Sequence, residues 1–354
     1  MKVCDRNNVG QQIVTDISID DLTDEQLAGQ RLMVGFEGVR FNDTLRYLID
    51  TLCVGGLILF SRNIESPQQL ADLCRSIQAY AKSMGRPPLL ISIDQEGGVV
   101  ARLPSPFTTF PGNPAIGKQD SDQGAIDFAE ITSRELNKAG INMNLAPVMD
   151  VAPIGFDSVM KKRIFSHNPG RVAHLGSIII RYLQKNRIAA CAKHFPGIGH
   201  TTLDSHMDLP CLNKGRDELD SFDLAPFRAA LKADVSAVML SHVVYMFIDP
   251  DWPASLSKKV AYDLLRNDLG FEGTVLTDDL DMGAIAKHYD IALIIRRILD
   301  ADIDIVLLCH TLSTMRSAFE EIIAGIKDLP EARKRCAKSV DRIFRLKERC
   351  VELS

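Results

Sequence analysis

Residues 189–210 read Ala-Ala-Cys-Ala-Lys-His-Phe-Pro-Gly-Ile-Gly-His-Thr-Thr-Leu-Asp-Ser-His-Met-Asp-Leu-Pro. The stretch opens on small apolar residues, as a buried strand would, and passes at once into lysine and histidine. Pro196, Gly197 and Gly199 then disfavour a helix. Reactive side chains are thereby put on a strand end and on the loop after it. In that loop Asp204 and His206 stand two apart, and in extended backbone positions i and i+2 project to one side, so the carboxylate can orient the imidazole.

Working outward, apolar runs of strand length recur along the chain. They are Leu32–Phe36, Val54–Phe60, Leu89–Ile93, Asn142–Val148, Ala189–Phe195, Ala237–Val243, Thr274–Thr277 and Ile303–Cys309. Helical patterns lie between many of them, at Pro67–Ser83, Asp122–Ala139, Gly170–Lys185, Asp217–Ala233 and Lys258–Leu269. This alternation is that of parallel βαβ units, and about eight of them predict an α/β fold of the (β/α)8, TIM-barrel type. Such a barrel gathers functional side chains where its strands end. The sequence does this repeatedly, with Asp94, Asp150, Lys193-His194, His242 and Asp278 each directly after an apolar run. An open doubly wound sheet is the alternative, but neither a GxGxxG nor a GxxxxGK[ST] phosphate loop is present.

At 354 residues and 46 % apolar, the chain can bury a sizeable core, and no Pro/Gly/Ser-rich linker divides it. A single catalytic domain over 21–354 is expected, preceded by a polar extension over 1–20 whose composition favours fraying. The net charge of −5 gives no basic footprint, and the cations of Lys334–Arg349 alternate with apolar residues at helical spacing, so nucleic acid is not an expected partner. The N-terminus lacks a signal-peptide core and no apolar run has the length of a membrane span, which points to a cytoplasmic protein. Eight cysteines, at 4, 53, 74, 191, 211, 309, 336 and 350, show no CxxC spacing and read as reduced packing residues.

The strand ends and the loop suggest a chemistry. Cleavage of a glycosidic bond needs an acid for the leaving oxygen and a nucleophile or activated water at the anomeric carbon. Asp278, on a rigid strand end, is the candidate nucleophile. Taken alone, Asp278-Asp279 reads more simply as the N-cap of a helix over Leu280–Ile285. His206, oriented by Asp204, is the candidate acid/base, because imidazole can give a proton in one step and take it in the next. Asp94, Arg102, Lys193 and His194 are candidates for hydrogen bonds to sugar hydroxyls.

These residues resemble glycoside hydrolase family 3, and within it the short bacterial β-N-acetylglucosaminidases of peptidoglycan recycling. The resemblance runs from about Gln30 to Met282. It rests on Val54-Gly55-Gly56-Leu57-Ile58-Leu59-Phe60-Ser61-Arg62-Asn63, Asp94-Gln95-Glu96-Gly97-Gly98, Leu145-Ala146-Pro147-Val148-Met149-Asp150, Lys193-His194-Phe195-Pro196-Gly197 and Thr277-Asp278-Asp279-Leu280. It implies that Asp278 is the nucleophile and that His206 with Asp204 is the acid/base on a mobile loop. It also implies that Asp94, Arg102, Arg163, Lys193 and His194 contact N-acetylglucosamine in the −1 subsite. Three positions depart from the family pattern. Val99 stands where arginine is usual, and Ile198 and His200 replace the histidine and aspartate of Gly-His-Gly-Asp. Arg163 also sits in an unusual setting, Lys161-Lys162-Arg163-Ile164-Phe165-Ser166.

The expectation is a retaining exo-β-N-acetylglucosaminidase acting, as a monomer without cofactor or metal, on small carbohydrate fragments of the cell wall. Three alternatives stand beside it. One is a metal-dependent barrel hydrolase using His194, His200, His206 and Asp208, whose spacing matches no helical or strand ligand pair. The second is a sugar-binding barrel without catalysis. The third is a phosphorylase, since a histidine acid/base repels incoming phosphate less than a carboxylate does.

Overall fold

A computed structural model describes residues 17–328 and 330–351. Most of the polar extension, with Cys4, lies outside the described residues. Eight parallel strands form one sheet: β1 Leu32–Val34, β2 Gly56–Leu59, β3 Leu90–Ile93, β4 Met143–Asn144, β5 Ala189–Phe195, β6 Ala237–Leu240, β7 Thr274–Thr277 and β8 Val306–Leu308. Neighbours pair in the spatial order β7-β6-β5-β4-β3-β2-β1-β8, and a parallel bridge between Leu276 and Ile305 joins the two ends. The (β/α)8 barrel read from the sequence is therefore observed, with each of the eight apolar runs supplying one strand.

Local chemistry explains where elements begin and stop. Ser66 accepts from the Gln69 N–H and Pro67 takes the first helical position, which fixes the start of the helix Pro67–Ser83. The run Asn142–Val148 yields only a two-residue strand, since Pro147 has no N–H to give the ladder. The chain nonetheless continues alongside β5, where Met149 N donates to the Lys193 carbonyl at 2.7 Å. Two predicted helices differ in winding. Lys259–Asp268 and the segment Leu219–Asp223 inside Asp217–Ala233 are π-helical, with i→i+5 bonds such as Leu269 N to Leu264 O. Periodicity alone does not separate the two windings.

Two apolar layers hold the barrel. Val34, Leu57, Ile91, Val238 and Val275 face the surrounding helices, whereas Met33, Ile58, Leu90, Leu145, Met239, Leu276 and Leu307 fill the lumen. The filled lumen makes the barrel a core rather than a pore and leaves the C-terminal face for chemistry. Ile343, Leu346 and Cys350 of the C-terminal helix, Pro330–Cys350, pack against the lumen cluster and close the opposite end. Several cations of this helix are engaged: Arg342 with Asp302 and Asp304, Arg349 with Asp234, and Arg333 with Asp24. Among the described residues no helix is long and apolar enough to cross a membrane, and the described cysteines are free thiols, all buried except Cys211.

One buried cation on this helix gives a stability prediction. Lys347 is fully buried and donates to Gln30 Oε1 at 2.6 Å, and burial lowers its pKa to about 7. The unfolded chain, with an ordinary lysine, binds this proton more readily. Stability contributed by Lys347 therefore rises with pH above about 7, by up to about 1.4 kcal/mol per unit. Thermal melts at pH 7.0 and 8.5 are expected to show this gain in the wild type and not in Lys347→Met. Equal pH slopes for the two proteins would contradict it.

Candidate active site

The strand ends converge on one side of the barrel, and β5 is the centre of the arrangement. Lys193 Nζ lies 2.7 Å from Asp94 Oδ1 after β3 and 2.8 Å from Glu96 Oε1. Glu96 also takes two bonds from Arg163, at 2.7 and 3.0 Å. Arg163 Nη2 reaches His194 Nε2 at 3.3 Å, and His194 Nδ1 lies 2.8 Å from Asp150 Oδ2 after β4. At the other end Arg102 stands 3.5 Å from Asp94 Oδ2. A continuous polar network thus runs from Asp150 to Arg102. With Nδ1 turned to the Asp150 carboxylate, the His194 ring presents Nε2 toward Arg163. The Lys193–His194 peptide is cis, and both side chains face the cleft.

Glu96 is buried, which alone would raise its pKa, yet the charges and hydrogen bonds of Lys193 and Arg163 hold it at about 2. Asp278 caps β7. Burial pushes its pKa up, but His242, His194, the Asp279 N–H and Lys193 together hold it below the usual carboxylate range, so it is an anion at neutral pH. His242 is buried beside it. Its Nε2 donates to the Asp279 carbonyl at 2.9 Å, its Nδ1 meets Ser255 Oγ at 2.7 Å, and burial lowers its pKa. The neighbouring Asp279 differs from Asp278: its Oδ1 accepts from the N–H groups of Asp281 and Cys309, and burial with the nearby carboxylates raises its pKa to about 7.

Above this floor lies the loop 198–210. His206 Nδ1 is 2.8 Å from Asp204 Oδ1, which also accepts the His206 backbone N–H at 2.9 Å. Burial works against the Asp204 anion, but those two bonds keep its pKa below the ordinary value. Both side chains are more than half exposed, so the pair stands in the cleft mouth. Asp94, Arg102, Arg163, Lys193, His194, Asp204, His206 and Asp278 all line one cleft of about 930 Å3 open to solvent. An ionised carboxylate on the floor and an oriented imidazole on the wall can supply a nucleophile and a proton carrier to one bound group.

A model of the glycosyl hydrolase family 3 N-terminal domain matches residues 22–346. The chain belongs to this family. It is 38 % identical over 285 residues to a beta-hexosaminidase of Alkalilimnicola ehrlichii, an alignment covering 79 % of this chain and 80 % of the relative. A family 3 beta-N-acetylglucosaminidase from a Paenibacillus strain superposes with a TM-score of 0.89 at 39 % identity. That match covers 94 % of this chain and 65 % of the longer Paenibacillus chain. A beta-N-acetylhexosaminidase from Beutenbergia cavernae superposes with a TM-score of 0.86 at 29 % identity, covering 92 % of this chain and 99 % of that one. The chain is a family 3 glycosidase, a beta-N-acetylhexosaminidase.

The family 3 departures now have physical settings. Ile198 contacts Asp150 through its backbone, with its N–H 2.8 Å from Oδ1, so the side-chain change leaves that anchor intact. Gly199 is required for space, since a Cβ there would lie 1.8 Å from the Val151 carbonyl oxygen. His200 accepts from Lys214 at 2.8 Å and sits between Phe156 and Phe222, and Lys214 pairs in turn with buried Asp223. Val99 is 61 % exposed. The four residues weighed as metal ligands have separate partners: Asp150 for His194, Lys214 for His200, Asp204 for His206 and His288 for Asp208.

Glu96 was not among the residues singled out from the sequence, although it lies in a quoted motif. Its removal is expected to matter. Glu96→Gln removes the shared anion and leaves Lys193 with Asp94 and Arg163 with His194, so the two cations are no longer tied to each other, and kcat/KM should fall about 10²-fold. Stability should fall by about 3 kcal/mol, the usual result of breaking a buried pair. Steady-state kinetics and thermal melts check both numbers, and an unchanged kcat/KM would remove Glu96 from the site.

Proposed function

We propose that the protein is a retaining exo-β-N-acetylglucosaminidase that releases terminal N-acetylglucosamine from cytoplasmic cell-wall fragments, in which it is linked to 1,6-anhydro-N-acetylmuramic acid peptides. The observation that carries the reading is the pairing, in one cleft, of ionised Asp278 on a rigid strand end with the Asp204–His206 pair on a loop. In the first step an Asp278 oxygen attacks the anomeric carbon, the glycosidic bond breaks, and His206 gives its proton to the departing oxygen. In the second, His206 takes a proton from water, whose oxygen attacks the same carbon and frees the Asp278 carboxylate. Asp204 holds the imidazole and balances its charge. Asp94, Arg102, Arg163, Lys193 and His194 bind the sugar hydroxyls, and their fixed network favours bonds that strengthen in the transition state. Ile58, Leu145, Met239 and Leu307 close the adjoining floor, which suits a chain end rather than an internal sugar.

Proton NMR of 4-nitrophenyl N-acetyl-β-glucosaminide cleavage tests the reading. The β-anomer of free N-acetylglucosamine should form first and then mutarotate. First formation of the α-anomer would refute retention. N-acetylglucosamine 1-phosphate as the main product in phosphate buffer would make the protein a phosphorylase, and tight binding without turnover would make it a sugar-binding barrel.

A further inference from the structure

The loop that carries His206 is fastened to the segment that carries Asp278. Beyond β7 the chain passes Asp278 and turns into a short helix, Gly283–Ala286. The Gly283 N–H donates to the His206 carbonyl at 3.2 Å and the Ala284 N–H to the Ser205 carbonyl at 3.0 Å. Just after the helix, Lys287 Nζ donates to the Met207 carbonyl at 2.7 Å, and His288 Nε2 pairs with the Asp208 carboxylate. Four consecutive loop residues, Ser205 to Asp208, are thus each held by one of four residues between 283 and 288. The contact is also close: a Cβ on Gly283 would lie 2.6 Å from the His206 oxygen and 2.8 Å from that of Met207. Glycine here serves proximity, since any side chain would lift the loop. The Asp204–His206 bond fixes how the ring faces, but it lies within the loop and cannot fix where the loop sits. The contacts with 283–288 do that, and they refer the loop position to the nucleophile's own stretch of chain.

We propose that Gly283, Lys287 and His288 are positioning residues that clasp the acid/base loop over Asp278. The inference rests on the reading of His206 as acid/base. Loosening the clasp lowers the fraction of molecules with His206 in reach of the leaving oxygen, so it slows only steps that need its proton. Lys287 and His288 are exposed, so their replacement spares the core.

The test compares kcat/KM, which reports bond cleavage, for phenyl and 2,4-dinitrophenyl N-acetyl-β-glucosaminides, with thermal melts as a control on folding. Lys287→Met/His288→Phe is expected to lose about 10-fold on the phenyl substrate and less than about 2-fold on the dinitrophenyl one, whose leaving group needs no acid. Gly283→Ala should show the same selectivity with a larger loss. In a His206→Ala background the double substitution should cost nothing further on either substrate. Equal losses on both substrates, a further loss in the His206→Ala background, or no loss at all would overturn the clasp. If His206→Ala itself fails to distinguish the two substrates, the acid/base reading falls first and the clasp with it.

Discussion

Asp278→Ala is expected to lower kcat/KM by about 10⁴-fold or more, the largest loss for any single residue of the site. The expectation follows from position and charge together. Strand β7 holds the carboxylate at the barrel mouth, and its surroundings keep it ionised despite burial, as the proposed nucleophile requires. No neighbouring side chain takes over. Asp279, next in sequence, is committed to the N–H groups of Asp281 and Cys309. The side chain of Asp278 makes one hydrogen bond, from the Asp279 N–H at 2.9 Å, so the fold should survive and the melting temperature should change little. Removing the carboxylate also opens its face of the sugar. Azide should then restore turnover of an activated aryl glycoside by attacking from that face, giving the α-glycosyl azide. Substantial residual activity without azide, or a β-azide product, would contradict the assignment.

The second large effect is expected at His206. On the proposed mechanism its replacement by alanine removes the proton donor for the departing oxygen, a contribution of about 10²–10⁴-fold where the leaving group is a poor one. On kcat/KM the loss should be of that size for phenyl N-acetyl-β-glucosaminide and about 10-fold or less for the 2,4-dinitrophenyl analogue, which departs as a stable anion. Asp204→Asn should follow the same pattern with a smaller loss, because it leaves the imidazole in place but weakens its orientation. Equal losses on both substrates would assign His206 to binding instead.

The barrel could be read from the sequence because its signal is local. Each strand is an apolar run such as Thr274–Thr277, and each prominent polar residue, such as Lys193 or Asp278, follows one directly. The Asp204–His206 pair was legible for the same reason, as both partners lie in one loop. What escaped was the network across the barrel mouth. Lys193 meets Asp94 over a separation of 99 residues, Arg163 meets Glu96 over 67, and His194 meets Asp150 over 44. No local spacing encodes such pairings, so in the sequence Glu96 is only one member of the motif Asp94–Gly98 and Asp150 one strand-end carboxylate among several. His242 was noted only as another strand-end histidine. Its part in the site depends on Asp278 and the Asp279 carbonyl, which arrive from the next strand. The substituted positions Ile198 and His200 were conspicuous from sequence, yet their consequence was not. One uses its backbone, and the other depends on Lys214 and Asp223, the latter displayed by a π-helical turn that periodicity does not reveal.

The central claim, a covalent glycosyl-aspartate on the strand-end carboxylate, is tested most directly by trapping. The enzyme is incubated with a 5-fluoro N-acetylglucosaminyl donor, digested, and mapped by mass spectrometry. The expected result is a single labelled peptide bearing one fluorinated N-acetylglucosaminyl group on Asp278. A label on another carboxylate, such as Asp279 or Asp94, or steady turnover of the donor with no labelled peptide at any time, would contradict it.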